Sequence, residues 1–421
     1  MKTEYKEEAL PFIQVNTKTN GNTLIIQIEY TINKTCIEFL QKLEAPLGII
    51  SVAGMYRTGK SYLLNRILLD RQKGFNIGST VNACTKGLWM WMKPISGFTS
   101  EGKEIKVVVI DTEGLGALDA DSNHDTRIFG LAVLLSSFFL YNSMGSIDES
   151  ALQSLSLIIN LTRYIQLKTQ GDNEVDPEEY GKYFPAFMWI VRDFILQLID
   201  ESGTPITSKE YFEKSLELQK GFSESIEQKN KIRRLLKSFF IDRDCCTMVR
   251  PLTKEENLQN LENMQLTELR PEFVEQVKEL RNKVLNKMKV KMLNGKELNG
   301  EMLCNLAKTY VEALNKGVVP NIERAWTYIC KNECYKGIQI AINAFDHGIQ
   351  NISLPIEECE LKGHYKKLVN EAVEEFTKRS MGSDTSSYIH ELKNTFKQKY
   401  NKLKEQNIKQ TKVLPLITPN R

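Results

Sequence analysis

The sequence is sparing with the residues that build metal, redox and membrane chemistry. Its 421 residues include four His, four Trp and eight Cys. His124, His347, His364 and His390 are isolated from one another and set in no catalytic pattern, so they read as ordinary core or surface histidines. The cysteines are scattered apart from the adjacent Cys245 and Cys246, which excludes a disulfide framework and points to reduced cytosolic thiols. Cys330 and Cys334 lie one helical turn apart, but no further ligand follows at metal-site spacing. Long apolar runs are missing too. The uncharged stretch after Arg127 has a short apolar part, Ile128 to Tyr141, interrupted by Ser136 and Ser137, which suits a buried helix or strand better than a membrane span. The start, Met1-Lys-Thr-Glu-Tyr-Lys-Glu-Glu, lacks the apolar core of a secretion signal, and Thr418-Pro-Asn-Arg421 holds no cysteine for prenylation. A net charge of +3 is too small for a dedicated nucleic-acid binder. These absences predict a cytoplasmic protein.

What remains is ordinary for a soluble chain: 41% hydrophobic and 26% charged residues, in a length that exceeds the growth of a single core. The first 250 or so residues alternate β-branched runs with helical patterns, as in a sheet flanked by helices. Candidate strands include Thr23 to Glu29, Leu47 to Ala53, Gly87 to Lys93, Lys106 to Ile110, Phe138 to Tyr141 and Ala186 to Val191. Candidate helices include Lys60 to Leu69, Thr126 to Ser136, Glu149 to Leu167 and Ser208 to Leu218. After Met248-Val-Arg-Pro251 the pattern turns helical: Leu258, Leu261 and Met264 lead to the stripe Phe273, Val277, Leu280, Val284 and Met288. Gly295 and Gly300 bracket a turn, and Gly317 with Pro320 stops a further helix. The expected architecture is an α/β nucleotide domain, mostly parallel sheet flanked by helices, over residues 1–255. A connecting segment (256–275), an all-α bundle (276–410) and a short tail (411–421) follow. From Lys393 to Arg421 there are eight Lys or Arg against only Glu405, a basic end that suits a solvated helix face or contact with an acidic membrane or protein.

One motif carries specific chemistry. Gly54-Met-Tyr-Arg-Thr-Gly-Lys-Ser61 is a complete G-x-x-x-x-G-K-S phosphate loop between an apolar strand run and the helical Tyr62 to Leu69. In that context successive backbone N–H groups and the positive end of a helix form a cavity for phosphate oxygens. Gly54 and Gly59 allow the tight path, Lys60 reaches the outer phosphates, and the Ser61 hydroxyl suits Mg²⁺. About 50 residues on, Lys106-Val-Val-Val-Ile-Asp111-Thr-Glu-Gly114 is a buried-strand run ending in an acid and a glycine. Asp111 is expected to hold Mg²⁺ through water, and the Gly114 N–H to sense the γ-phosphate. Between the two, residues 74–85 are polar and small, and Thr85 fits a switch threonine whose hydroxyl reaches the metal. The common guanine-reading Asn-Lys-x-Asp is missing. Phe187-Met-Trp-Ile-Val-Arg192-Asp193 offers a substitute, since one carboxylate accepts both N1–H and the N2 amine of guanine while the Arg192 stem covers the base. A salt bridge or cap is the plainer reading of that pair.

Taken together, Gly54 to Asn65, Thr85-Lys-Gly-Leu-Trp-Met-Trp91, Asp111-Thr-Glu-Gly-Leu-Gly116, Leu134-Leu-Ser-Ser137, Tyr141-Asn-Ser-Met-Gly145 and Arg192-Asp193 resemble the guanylate-binding proteins, large GTPases of the dynamin superfamily. The likeness continues through Leu269 to Val277, Asn299-Gly300 and Tyr310 to Ala313. The resemblance implies GTP binding, Mg²⁺-dependent hydrolysis, homodimerisation through the GTPase domains and association with relatives. It implies that Arg57 is an internal arginine finger, that Lys60, Thr85 and Glu113 serve catalysis, and that Asp111 and Glu113 flank the catalytic water. It places Met55, Tyr56, Thr58, Tyr62, Thr112 and Leu115 among the nucleotide-binding residues, with Ile77, Gly78 and Ser79 in the first switch.

Two departures stand out. Where well-known relatives carry a serine and a histidine before the switch threonine, this chain has Ala83 and Cys84, so the hydroxyl that helps place the attacking water is absent. The family's long C-terminal effector helices are expected to be missing or shortened. The resemblance leaves open cleavage as far as GMP and peripheral attachment of this cytoplasmic chain to membranes. A slow GTP-loaded switch that dimerises with relatives, or an atlastin-like membrane-remodelling GTPase, are the alternatives.

Overall fold

A computed structural model describes residues 5–19, 26–77, 85–116, 122–156, 161, 165–167 and 177–413. It forms two compact units, Met1–Ala325 and Trp326–Arg421. In the first, a nine-stranded sheet is ordered β2-β1-β4-β6-β3-β7-β8-β9, with β5 paired to β6. The strands are β1 (Ala9–Thr19), β2 (Ile26–Ile32), β3 (Leu47–Gly54), β4 (Leu88–Trp91), β5 (Ile95–Phe98), β6 (Glu104–Thr112), β7 (Phe138–Met144), β8 (Ala186–Arg192) and β9 (Arg243–Thr247). The sheet is mixed. Strands β6, β3, β7, β8 and β9 run parallel, while β2, β1, β4 and β5 join antiparallel on the β6 side. The parallel strands at the centre of the sheet, β6, β3, β7 and β8, are the apolar ones. β3 and β8 are buried at every position, as strands covered by helices on both faces must be.

Helix α1 (Lys34–Gln41) follows β2, and α2 (Lys60–Leu63) follows β3, continuing as a π-helical turn over Leu64–Leu68. Helices α3 (Ser122–Leu135), α4 (Glu149–Ser154), α5 (Pro177–Tyr180), α6 (Ser208–Ser215) and α7 (Glu224–Phe239) connect the later strands. Of the expected helix from Glu149 to Leu167, α4 ends at Ser154, where Leu155 closes it with N–H bonds to Leu152 and Gln153 carbonyls; Leu161 is again helical, and residues 157–160 and 162–164 lie outside the described residues. The stripe from Leu258 to Met264 is a 3-10 helix, Glu255–Asn263, rather than an α-helix.

Helix α8 (Pro271–Leu285) starts with Pro at its first turn, where no N–H bond is lost. Its face Phe273, Val277, Leu280 and Val284 packs with Met288 into one core with Ile50 and Val52 of β3 and Leu64 and Ile67 of the π turn. The Gly295 turn is a hairpin between β10 (Met292–Leu293) and β11 (Lys296–Glu297), with Asn294 and Gly295 at positive φ. Gly300 is no part of that turn. It opens α9 (Gly300–Asn315), where any Cβ would lie 1.8 Å from the Leu40 carbonyl oxygen of α1.

The second unit begins within α10 (Ile322–Gln350) and continues with α11 (Glu358–Arg379) and α12 (Thr385–Val413). Cys334, Ala341, Phe345, Ala372, Phe376, Leu392 and Phe396 form its core. Phe345 and Phe396 stack with centroids 4.3 Å apart, as do Tyr365 and Tyr400. Among the described residues, no helix is long and apolar enough to cross a membrane.

Candidate nucleotide site

Strand β3 delivers the phosphate loop at the carboxyl end of the parallel sheet, where open α/β folds bind ligands. The strand ends at Gly54 with φ 153°, and a Cβ there would lie 2.1 Å from the Asn142 carbonyl oxygen of β7. Glycine is therefore required for the two strand ends to meet. The loop is then tied from both sides. The Tyr56 N–H donates to Leu115 O at 2.8 Å and the Leu115 N–H to Gly54 O at 3.1 Å. The Thr58 hydroxyl donates to Met55 O at 2.8 Å, and the Asn142 amide to Thr58 O at 2.9 Å. Arg57 and Gly59 take left-handed φ values of 65° and 77°, turning the chain into α2 without a side-chain cap. No side chain at the cap takes up the first N–H groups of that helix.

Lys60 is buried, and its Nζ donates to Gly54 O at 3.3 Å and Met55 O at 3.2 Å. Burial lowers its pKa from the ordinary lysine value, against the opposing pull of Asp111 and Glu113. At the end of β6, Asp111 Oδ2 accepts from Ser61 Oγ at 2.5 Å and from Thr85 Oγ1 at 3.5 Å. Burial pushes the Asp111 carboxyl up to about 6 despite Lys60 and the Ser61 hydroxyl. Its other oxygen, Oδ1, is buried with no hydrogen-bond partner among the described residues. Two hydroxyls converging on a carboxylate with a spare oxygen form the hard donor set that suits Mg²⁺.

Gly114 then brings the chain against the loop. A Cβ on it would lie 2.6 Å from Tyr56 Cα and 3.2 Å from Lys60 Nζ. Glu113 is held rather than free, since its Oε2 accepts from the Gly87 N–H at 2.9 Å and lies 3.2 Å from His124 Nε2. Burial alone raises a carboxyl, but the hydrogen bonds from His124 and Gly87 outweigh it and hold Glu113 below its ordinary value.

The base-side motif sits where β8 ends. Arg192 is buried with its guanidinium 5.6 Å from the Phe273 ring, and its Nε and Nη1 have no partner among the described residues. It reaches toward the phosphate loop, for a Cβ on Gly59 would lie 3.8 Å from Nη1. Burial lowers its pKa, opposed by Asp193. Asp193 takes φ 55°, and its Oδ2 lies 3.3 Å from Arg250 Nε. The pair is thus not a salt bridge between neighbours; the aspartate turns to Arg250.

Several residues expected in the site have other surroundings. The Thr112 hydroxyl donates to Val52 O at 2.7 Å, between strands. Tyr62 is buried in the core with Arg66 5.5 Å over its ring, and Ile77 packs against the same core. Met55 and Leu115 take part through backbone pairing, with the Met55 side chain exposed. Arg57 is exposed, its guanidinium 5.4 Å from the Tyr56 ring. Gly78, Ser79, Ala83 and Cys84 lie outside the described residues. Conversely, the sequence reads His124 as an ordinary histidine and carries Asn142 only within the Tyr141 to Gly145 motif, with no role for either. Asn142 is indicated only by its backbone register with Gly54, and His124 only by the fold that brings α3 to Glu113.

Family models agree with this arrangement. Residues 27–293 match the guanylate-binding protein N-terminal domain, and residues 294–413 the guanylate-binding protein C-terminal domain. The chain is 37% identical to guanylate-binding protein 2 of Homo sapiens over 358 residues, 84% of this chain and 59% of that protein. It is 37% identical to guanylate-binding protein 1 of Homo sapiens over 383 residues, 89% of this chain and 64% of that one. Guanylate-binding protein 7 of Mus musculus is 36% identical over 385 residues, 90% of this chain and 59% of its own. The chain therefore spans about three fifths of the length of these relatives. A mixed sheet with a complete phosphate loop, a helical second unit and matches to both domains establish that the chain belongs to the guanylate-binding protein family.

Proposed function

We propose that the chain is a GTP-binding and GTP-hydrolysing enzyme, a dynamin-like large GTPase that dimerises through its nucleotide unit, with itself or with relatives, in the cytoplasm. The observation that carries this reading is the buried, half-partnered Asp111 beside Ser61, Thr85 and the buried Lys60. Such groups are costly to leave unpaired unless a ligand completes them. Residues 54–61 cradle the phosphates, with Lys60 exchanging its two long carbonyl contacts for phosphate oxygens. Ser61, Thr85 and, through water, Asp111 would hold Mg²⁺, which when bound neutralises charge on the β- and γ-phosphates. Gly114 brings a backbone N–H close to the loop, and Glu113 orders the water. Water attacks the γ-phosphorus, the electron pair of the broken bond stays on the β-phosphate of GDP, and the released proton leaves with inorganic phosphate and solvent.

Arg57 is the stabilising cation. Its exposed position on a left-handed turn gives it room to swing onto the phosphates when a second nucleotide unit closes the loop, supplying fixed donors to the transferring group. At the base end, Asp193 reads guanine after exchanging Arg250 for the base, and Arg192 covers the ring. The alternative, a GTP-loaded switch with slow hydrolysis, is favoured by Ala83, which has no hydroxyl to place water. Steady-state GTP turnover at rising protein concentration separates the two. A rate per molecule that climbs with concentration is expected for dimer-assisted catalysis, and a negligible flat rate rejects it.

A further inference from the structure

Glu113 stands at one end of a buried polar chain. Its Oε2 lies 3.2 Å from His124 Nε2, and His124 Nδ1 lies 3.2 Å from the Tyr30 hydroxyl. The two rings are stacked with an interplanar angle of 11°. Tyr30 is 1% exposed, His124 6% and Glu113 9%. An ionised carboxylate only accepts, so the Nε2–H donates to Glu113, and the Nδ1 and the Tyr30 hydroxyl share the second hydrogen bond. Tyr30 is itself clipped in place. Its N–H donates to Asn315 Oδ1 at 2.8 Å, and the Asn315 amide donates to Tyr30 O at 2.8 Å, fixing β2 to the end of α9.

We propose that His124, backed by Tyr30, is a positioning residue for the hydrolytic step. It locks Glu113 Oε2, together with the Gly87 N–H, and so leaves Oε1 in one orientation to accept a hydrogen bond from the attacking water. A glutamate free about its three side-chain torsions would sample many orientations, and misplacement by about 1 Å costs on the order of a hundredfold in rate. The device answers the absence of a hydroxyl at Ala83, because water placement here falls on Glu113. His124 takes no proton from the water in this scheme. The inference rests on the GTPase reading above.

The test compares His124→Leu, His124→Gln and Tyr30→Phe in the full chain, measuring GTP turnover, affinity for a fluorescent non-hydrolysable GTP analogue, and melting temperature. His124→Leu is expected to lose about tenfold or more in kcat with analogue affinity held within about twofold. Tyr30→Phe, which removes one hydroxyl, should lose about threefold. His124→Gln keeps an N–H donor at similar reach and should recover most of the rate. Turnover by His124→Leu at the wild-type rate overturns the assignment, and so does a loss that follows melting temperature and analogue affinity without rescue by Gln. If His124→Leu does not fold, Tyr30→Phe decides, and an unchanged kcat there overturns it. A wild-type chain that binds GTP without cleaving it fails the GTPase reading and this inference together, whereas an active wild type with insensitive variants fails this inference alone.

Discussion

Two lysines are buried at opposite ends of the parallel sheet, and their surroundings differ in a way that separates function from architecture. At the amino end of the strands, Lys291 Nζ donates to Leu134 O at 2.6 Å and Ser136 O at 2.8 Å, capping α3 at the carbonyl end where a cation is favourable. Its own N–H donates to Leu47 O at 2.7 Å, at the start of β3, and nearby the Ser137 hydroxyl donates to Lys289 O at 2.6 Å. At the carboxyl end, Lys60 also meets two carbonyls, but at 3.2 and 3.3 Å, with Asp111 and Glu113 close by. Asp111 Oδ1, Asn142 Oδ1 and two Arg192 nitrogens, all at the carboxyl ends of the strands, are buried without a partner among the described residues. One end of the sheet closes its polar groups on itself, and the other leaves several without a partner among the described residues, as the proposed nucleotide site requires.

The sharpest way to break this comparison is to delete each lysine. Lys60→Ala should reduce GTP affinity by about a hundredfold or more, since it removes charge-assisted bonds to phosphate, while the fold survives because the carbonyls it meets are only loosely engaged. Nucleotide titration by fluorescence, beside a thermal melt, reads both. Retained binding would make Lys60 a second architectural pin. Next in size, Arg57→Ala should lower turnover by about tenfold or more and spare binding, as follows from the proposed swing of its exposed guanidinium onto the phosphates in the closed state. Normal turnover in that variant removes Arg57 from the mechanism.

Lys291 sharpens the other half. Burial pushes its ammonium down to about 7. The unfolded chain holds that proton up to about 10.4, so between these values the unfolded state binds one proton more and the fold gains stability as pH rises. Below pH 7 both states are protonated and this contribution is flat. The stability difference between wild type and Lys291→Met, from urea unfolding at several pH values, should therefore increase by about 1 kcal/mol per pH unit from pH 7.5 to 9. A difference that stays constant, or falls, would mean that Lys291 remains charged in the fold. Nucleotide affinity should not change.

The phosphate end was legible in the sequence because its chemistry is local. Gly54 to Ser61 and Asp111 to Gly114 each encode strand, turn and ligand geometry within a few residues, and the apolar runs around them named β3 and β6. The sheet as a whole was less so. Ala9–Thr19 mixes Gln, Asn and Lys with apolar residues, and Arg243–Thr247 is polar and cysteine-rich, so neither stands out as a strand until a neighbour supplies its hydrogen bonds. Leu258 and Leu261 kept helical spacing in a segment that closes as a 3-10 helix, a period too close to separate over three turns. Phe273 to Val284 announced a helix stripe correctly but not its target, which is the core under β3. His124 and Lys291 were invisible as functional or capping groups because their partners, Glu113 and the end of α3, are set by tertiary contacts alone.

Arg192 gives the smallest and most discriminating test, because the comparison predicts opposite signs for stability and binding. Without nucleotide, its guanidinium is buried with Nε and Nη1 unsatisfied among the described residues, a cost offset in part by the Phe273 face and the neighbouring Asp193 charge. Replacing a buried, underpartnered polar group by an apolar one of similar length is neutral or favourable. Arg192→Met should therefore raise the unfolding free energy of the nucleotide-free chain by about 1 kcal/mol, measured by urea denaturation. The same variant should weaken GTP binding by about tenfold, because the donors that were orphaned no longer meet the nucleotide. A destabilised apo chain with unchanged affinity would move Arg192 to the amino-end class, alongside Lys291, and leave guanine recognition to Asp193 without it.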